Sequence, residues 1–428
     1  MSRSKSKLYK VPILGFIVII LIGAIILKLP ICNQKPIAFL DSLFVSTSGV
    51  CITGYTPVVI SEQFTWIGQF VLIILAEIGA LGFMTVIIFI ATITQKKMNL
   101  SDVMLLDDGK LDVGFKSKVK NIIKYTFAIE FAGAALLSLR FIQIYGFAKG
   151  IWYGIFHSVT AFCNSGFDII GANSFEPFTN DYYLNIVIMV LIILGGIGFL
   201  VLEDLINAWK SKSLKNLRFQ SKIVLITTGI LLAFSIIYIK FMEPELTILQ
   251  SAFTAVTLRT AGFSTINMAN CSQATKMMGI ILMFIGGAPG STSGGIRIVV
   301  FAVLMLAIIS TIKNRKQVVV FYRRINENTI MKAITITGWS FLAVLVGVII
   351  MSFSNNIGLE NIIFHCVGAF SDTGLGLVPT SYLNVVGKIV IMILMFIGRL
   401  GPIAAFRIFF SSAKEQERLK FVDGELML

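Results

Sequence analysis

Apolar runs of about 20 residues, the length that crosses a bilayer as a helix, recur along this chain. Clear cases are residues 11–27, 186–202, 223–239 and 385–410. Only 14% of the 428 residues are charged and the mean hydropathy is +0.87, whereas a soluble domain carries about 25% charged residues. A chain of this kind folds in lipid. The first run follows a basic stretch, as in a signal peptide, but it lacks a small-residue cleavage site and further apolar segments continue to the C-terminus. It is read as a retained first span. The five cysteines, Cys32, Cys51, Cys163, Cys271 and Cys366, are scattered and odd in number, which suits neither a disulfide framework nor a zinc site.

The net charge of +14 invites a nucleic-acid reading, and the positions of the charges argue against it. Of the 36 basic residues, 25 fall in five clusters, at residues 3–10, 96–124, 210–222, 313–332 and 414–420. The positive-inside rule places such clusters in the cytoplasm. The intervening connections are poor in Lys and Arg and carry Asp41, Glu62, Asp168, Glu176, Asp181, Glu243, Glu245 and Glu360. Both termini are therefore expected in the cytoplasm of a multi-pass protein of the cell membrane, with an even number of crossings and no nucleic-acid partner.

An internal repeat organises these crossings. Four segments share an apolar, hydroxyl-rich stretch that ends in Gly and a bulky residue: FVSTSGVCITGY (44–55), FHSVTAFCNSGF (156–167), FTAVTLRTAGF (253–263) and FHCVGAFSDTGL (364–375). Their glycines, Gly54, Gly166, Gly262 and Gly374, are 112, 96 and 112 residues apart. Each is followed by a helix with a second glycine pair, namely Gly79 and Gly82, Gly195 and Gly198, Gly287 and Gly290, and Gly398 and Gly401. The expected units are residues 1–95, 96–210, 211–313 and 314–411, with a cytoplasmic tail at 412–428.

Each unit reads as a long span, a short semi-polar stretch and a second long span. Roughly 14 residues precede each key glycine, too few to cross a core about 30 Å thick. A helix that dips in and returns as extended chain fits, and non-helical backbone at that depth survives only where it is buried in protein or lines water. The expectation is an all-α membrane protein with eight transmembrane helices and four re-entrant pore helices around one central pore. A twelve-span arrangement would place alternate basic clusters outside. Four converging loops can offer a ring of backbone carbonyls to a dehydrated cation, and glycine supplies the unusual dihedrals this needs. The simpler alternative is that these glycines only let helices pack closely.

At these residues the chain resembles a known family. The motifs TGY, CNSGF, RTAGF and DTGL resemble the four filter loops of the Trk/Ktr/HKT potassium transporters, and FIGGAPGSTSGGIR and FIGRLGP resemble further landmarks of that superfamily. The likeness runs from the first span to the FVDGE stretch at 421–425, and without an extra N-terminal pair of spans it looks like the Ktr membrane subunit. The resemblance implies potassium uptake, often supported by sodium, with potassium at the filter glycine carbonyls. The implied filter residues are Thr53 and Gly54; Asn164, Ser165 and Gly166; Thr260, Ala261 and Gly262; and Asp372, Thr373 and Gly374. It also implies a homodimer seated on a cytosolic regulatory ring, with nucleotide bound by that partner and no covalent cofactor on this chain. Cys51 stands where relatives commonly have a hydroxyl residue, and Asp372 precedes the fourth glycine; both bear on ion preference.

Residues 276–312 would make a single helix about 55 Å long, too long for one crossing. Their centre, GGAPGSTSGG at 286–295, holds five glycines and a proline, at about 1 and 3 kcal/mol each against a helix. The expectation is a break in the membrane that lines the path and serves as a gate, formed by Gly286, Gly287, Gly290, Ser291, Thr292, Ser293, Gly294 and Gly295. A plain inter-helix turn is the alternative. Arg399, an ionisable residue in an apolar span, is a functional candidate by default; it could meet the loop ends or the break, or serve as a structural salt bridge. Glu77, Glu130, Glu203 and Asp204 read as structural, and Arg259 as a brace for the third loop. His157 and His365, at equivalent places in two pore helices, have no third ligand beside them. A secondary transporter for sodium or another small solute remains the competing function. The sequence offers no nucleophile, base and orienter set for an enzyme.

Overall fold

The computed structural model describes residues 2–82, 115–213, 215, 217–315 and 317–401. Fourteen helices of ten residues or more organise them. The first unit holds α1 (Ser2–Lys28), α2 (Phe39–Cys51) and α3 (Trp66–Leu81). The second holds α4 (Phe115–Tyr145), α5 (Phe147–Phe162), α6 (Tyr182–Gly196) and α7 (Phe199–Lys210). The third holds α8 (Phe219–Met242), α9 (Ile248–Thr257), α10 (Gln273–Ile285) and α11 (Ile298–Ile312). A small antiparallel hairpin, β1 (Val319–Val320) and β2 (Arg323–Arg324), leads to α12 (Glu327–Ser354), α13 (Leu359–Phe370) and α14 (Val385–Leu400) of the fourth. The basic tail expected at 412–428, the 414–420 cluster and the first three basic residues of the 96–124 cluster lie outside the described residues.

Side chains repeat their jobs from unit to unit. The helices after the four loops, α3, α6, α10 and α14, begin at Thr65, Asp181, Ser272 and Asn384, and each of these side chains accepts a backbone N–H of the first turn. Such caps are worth about 1 kcal/mol each. Ser46 on α2 donates to Ile20 O on α1 at 2.7 Å, and Ser158 on α5 donates to Glu130 O on α4 at the same distance. A hydroxyl in an apolar helix thus satisfies itself on the neighbouring backbone, which explains the hydroxyl-rich patterning. Gly23, Gly133 and Gly347 on the first helices are met by Leu75, Leu191 and Leu394 from the second helices. Two large apolar clusters result, one mainly from units one and two and the other mainly from units three and four. Apolar side chains such as Phe234 and Ile237 on α8, and Phe341 and Phe353 on α12, remain exposed on the periphery, where lipid would cover them.

Among the described residues, three helices are long and apolar enough to cross a bilayer unaided, at Lys120–Tyr145, Phe219–Met242 and Glu327–Ser354. The second helices are shorter than the expected long spans, for a reason the glycine pairs conceal. Gly82, Gly198, Gly290 and Gly401 all take positive φ, between 68° and 91°, so no second helix continues straight through its second glycine. The run 186–202 is accordingly two helices, α6 and α7, bent by 106°, and counts as a fourth span only if the pair is taken together.

Candidate ion pathway

The short helices α2, α5, α9 and α13 contain 13, 16, 10 and 12 residues, about 15–24 Å of helix. Each ends three to five residues before its key glycine. Gly54, Gly166, Gly262 and Gly374 all have positive φ, at 88°, 65°, 91° and 69°. Two residues earlier Ile52, Asn164 and Asp372 are also left-handed, at 61°, 55° and 54°, with Thr260 at 154°. Asn and Asp tolerate that region best among side-chain-bearing residues.

The four glycines form a closed cycle. A Cβ on Gly54 would lie 2.2 Å from Ser165 O, and one on Gly166 would lie 2.3 Å from Ala261 O. One on Gly262 would lie 2.4 Å from Thr373 O, and one on Gly374 1.9 Å from Thr53 O. In every case the carbonyl comes from the residue just before the next unit's glycine. The loops therefore meet in the order one, two, three, four and back to one, edge to edge, with no room for a side chain at the joints. Close approach of backbones is what only glycine permits.

Other contacts hold the ring closed. Tyr55 Oη donates to Leu375 O at 2.5 Å between the first and fourth loops, and Phe175 N to Ser264 O at 2.8 Å between the second and third segments. Trp152 Nε1 donates to Gln69 Oε1 at 2.7 Å, and Lys388 pairs with Asp41 at 2.6 Å. Above the ring opens a cavity of about 510 Å³ whose lining includes all four key glycines. Among the described residues its ionisable lining side chains are Asp168 and Glu176, with no Lys or Arg, so its field favours cations.

Beneath the ring, residues 286–297 leave the helical path between α10 and α11 and dock into the break between α6 and α7. Ala288 N donates to Gly196 O at 3.0 Å, Thr292 N to Gly195 O at 3.3 Å, and Phe199 N to Gly290 O at 2.9 Å. Helix ends leave such groups unpaired, and here the loop satisfies them. Ser293, 1% exposed, receives Thr260 Oγ1 at 2.7 Å and lies 3.1 Å from the Asn164 amide. Thr292 Oγ1 donates to Phe162 O at 3.3 Å. A Cβ on Gly294 would lie 2.5 Å from both Asp372 Oδ2 and Ser371 O. Arg399 Nη1 donates to Thr292 O at 3.0 Å and its Nη2 to Gly79 O, while Arg297 donates to Ser293 O. The loop thus touches the inner faces of the second, third and fourth key loops and is held by Arg399 from the last helix. Thr53 Oγ1 donates to Asp372 Oδ1 at 3.1 Å.

The remaining singled-out residues have varied surroundings. His157 Nδ1 lies 2.8 Å from Tyr153 O and His365 Nε2 lies 3.0 Å from Val378 O, so both rings brace backbone. Asp204 pairs with Arg218 at 3.2 Å. Arg259 is 4% exposed, and its Nη1 has no hydrogen-bond partner among the described residues. Glu77 on α3 and Glu130 on α4 converge on Cys163, each with a carboxyl oxygen 3.7 Å from its Sγ. They come from three elements, and no local pattern marks them as neighbours.

Residues 12–420 match the model of the TrkH family, described as cation transport proteins. The chain is 34% identical to Ktr system potassium uptake protein B of Bacillus subtilis, over 96% of this chain and 95% of that one. It is 33% identical to potassium/sodium uptake protein NtpJ of Enterococcus hirae, over 97% and 95%. The fold is similar to the crystal structure of the potassium transporter TrkH from Vibrio parahaemolyticus, with a TM-score of 0.73 at 17% identity over 92% of this chain and 84% of that one. The family model and these relatives place the chain among membrane cation transporters. The chain belongs to the TrkH family of cation transport proteins.

Proposed function

We propose that this chain carries potassium into the cell through a channel-like pore whose selectivity filter is the ring at Gly54, Gly166, Gly262 and Gly374. The observation that carries the reading is the cyclic contact of each glycine with the carbonyl just before the next unit's glycine, since a closed ring of carbonyls is what a dehydrated potassium ion needs. The short helices α2, α5, α9 and α13 end beside the ring, and their C-terminal partial negative charge favours a cation there. The names of the Bacillus and Enterococcus relatives speak of potassium, and the latter also of sodium; sodium support of uptake is part of the proposal.

In this reading the four units are re-entrant pore repeats with eight crossings and both termini cytoplasmic. Residues 286–295 are the gate, held by Arg399. The working protein is a homodimer in the cell membrane on a cytosolic nucleotide-binding ring, which holds the nucleotide. The test is potassium and sodium uptake by a transport-deficient cell expressing the chain, with and without such a regulatory subunit. Saturable potassium uptake is expected. Membrane-inserted protein that moves no potassium in either condition overturns the proposal.

A further inference from the structure

Asp372 stands apart from the residues at equivalent places in the other three loops, Ile52, Asn164 and Thr260, because it alone is acidic. Its side chain is fully buried against Gly294 of the loop. Oδ1 is engaged by the Thr53 hydroxyl, but Oδ2 is buried with no hydrogen-bond partner among the described residues. A buried polar oxygen without a partner is costly, and a buried carboxylate more so unless it meets a proton or a cation. Two guanidinium groups, Arg399 and Arg297, are near enough to act on it electrostatically, yet both donate to loop carbonyls, those of Thr292 and Ser293. What covers Oδ2 is backbone: Gly294 sits on it and on Ser371 O so closely that a methyl group would lie 2.5 Å from either oxygen.

We infer that Asp372 Oδ2 and Ser371 O form a cation-binding position at the inner end of the filter, and that the loop and the ion compete for it. This rests on the pore reading above. With the loop docked, Gly294 caps the two oxygens. A monovalent cation leaving the filter takes them up as Gly294 withdraws, so occupancy of this position opposes closure. The absence of a side chain at Gly294 is then a requirement of the capped state. A carboxylate attracts a small cation at closer range than a large one, so this corner of the ring favours sodium relative to a ring of carbonyls alone.

The test is uptake by purified full-length protein in vesicles, with potassium and sodium varied separately, comparing wild type with Asp372→Asn, which keeps the shape and removes the charge. The half-saturating potassium concentration should rise at least about tenfold, the scale of one lost charge contact, and sodium uptake should fall by a larger factor, so that potassium preference increases. A variant indistinguishable from wild type in both measurements overturns the inference while leaving the pore reading intact; a wild type that moves no potassium sinks the pore reading itself. A purely structural role for Asp372 would lower the amount of active protein without moving either half-saturation or preference, and that result also overturns it. If Asp372→Asn does not assemble, Gly294→Ala carries the test. Its methyl displaces the cap, so half-saturation should fall, and an unchanged value counts against competition.

Discussion

The carbonyl oxygen of Thr53 fills the space in which a side chain on Gly374 would begin, 1.9 Å from the Cβ position. The same holds around the ring, so the four glycines are joints between loops as well as sites of unusual dihedrals. Because the obstructing atom is backbone, no rotamer change relieves the clash. Gly374→Ala should therefore open the ring at its joint with the first loop, adding about 1–2 kcal/mol of left-handed strain to the steric conflict. Potassium uptake should fall more than about tenfold and preference over sodium should weaken, with insertion unchanged. Gly229→Ala, whose Cβ meets nothing within 4 Å, should transport normally. Normal selectivity in Gly374→Ala would remove the ring from the mechanism.

The ion pair between Lys388 and Asp41, at 2.6 Å with side chains 15% and 23% exposed, joins the fourth unit to the first. Breaking a pair this sheltered leaves a charge without its partner, at a cost up to about 3 kcal/mol, reduced by the remaining solvent access. Asp41→Asn should lower the unfolding temperature of the detergent-solubilised protein by several degrees. The double variant with Lys388→Met should recover part of that loss. Additive losses would show that the two residues act independently.

What the sequence displays well are features carried by residue type. A left-handed backbone selects Gly, Asn or Asp, so the ring glycines stand out in the motifs CNSGF and DTGL. The 286–295 break is written in five glycines and a proline, and Arg399 in a lone charge among apolar residues. Features that depend on distance in space do not show. Thr260 and Ser293 meet across 33 residues, Asn164 and Ser293 across 129, and Lys388 and Asp41 across 347. No periodicity encodes such pairs. The helix ends at Gly82, Gly198 and Gly401 were hidden for another reason. A glycine in an apolar run is compatible both with close packing of a continuous helix and with its termination, and only backbone dihedrals distinguish the two.

The arrangement of crossings can be tested from either side of the membrane. Reporter tags near Asp108, which lies outside the described residues, and near Lys215 and Arg315 should react only from the cytoplasm. One near Asp181, at the cap of α6, should react only from outside. Labelling of the Lys215 tag from outside would be incompatible with eight crossings.

The hold on the loop beneath the ring can be weakened in two steps. Ser293 receives the Thr260 hydroxyl at 2.7 Å and meets Asn164 at 3.1 Å, so it fastens the loop to the third and second key loops together. Ser293→Ala removes both contacts while keeping the small volume the site requires. At about 1 kcal/mol for each of the two hydrogen bonds, the docked state should lose roughly thirtyfold in population relative to the undocked one. Potassium flux without any cytosolic partner should rise accordingly. Deleting residues 291–294 removes the Thr292 carbonyl that Arg399 holds, together with the Gly294 cap, and should raise flux further and weaken regulator dependence. Both variants leave the four ring glycines in place, so potassium should still be preferred over sodium. A plain connecting turn predicts misassembly or no change instead. Correctly assembled deletion protein with unaltered flux and intact dependence on the regulator would show that these residues do not obstruct the path.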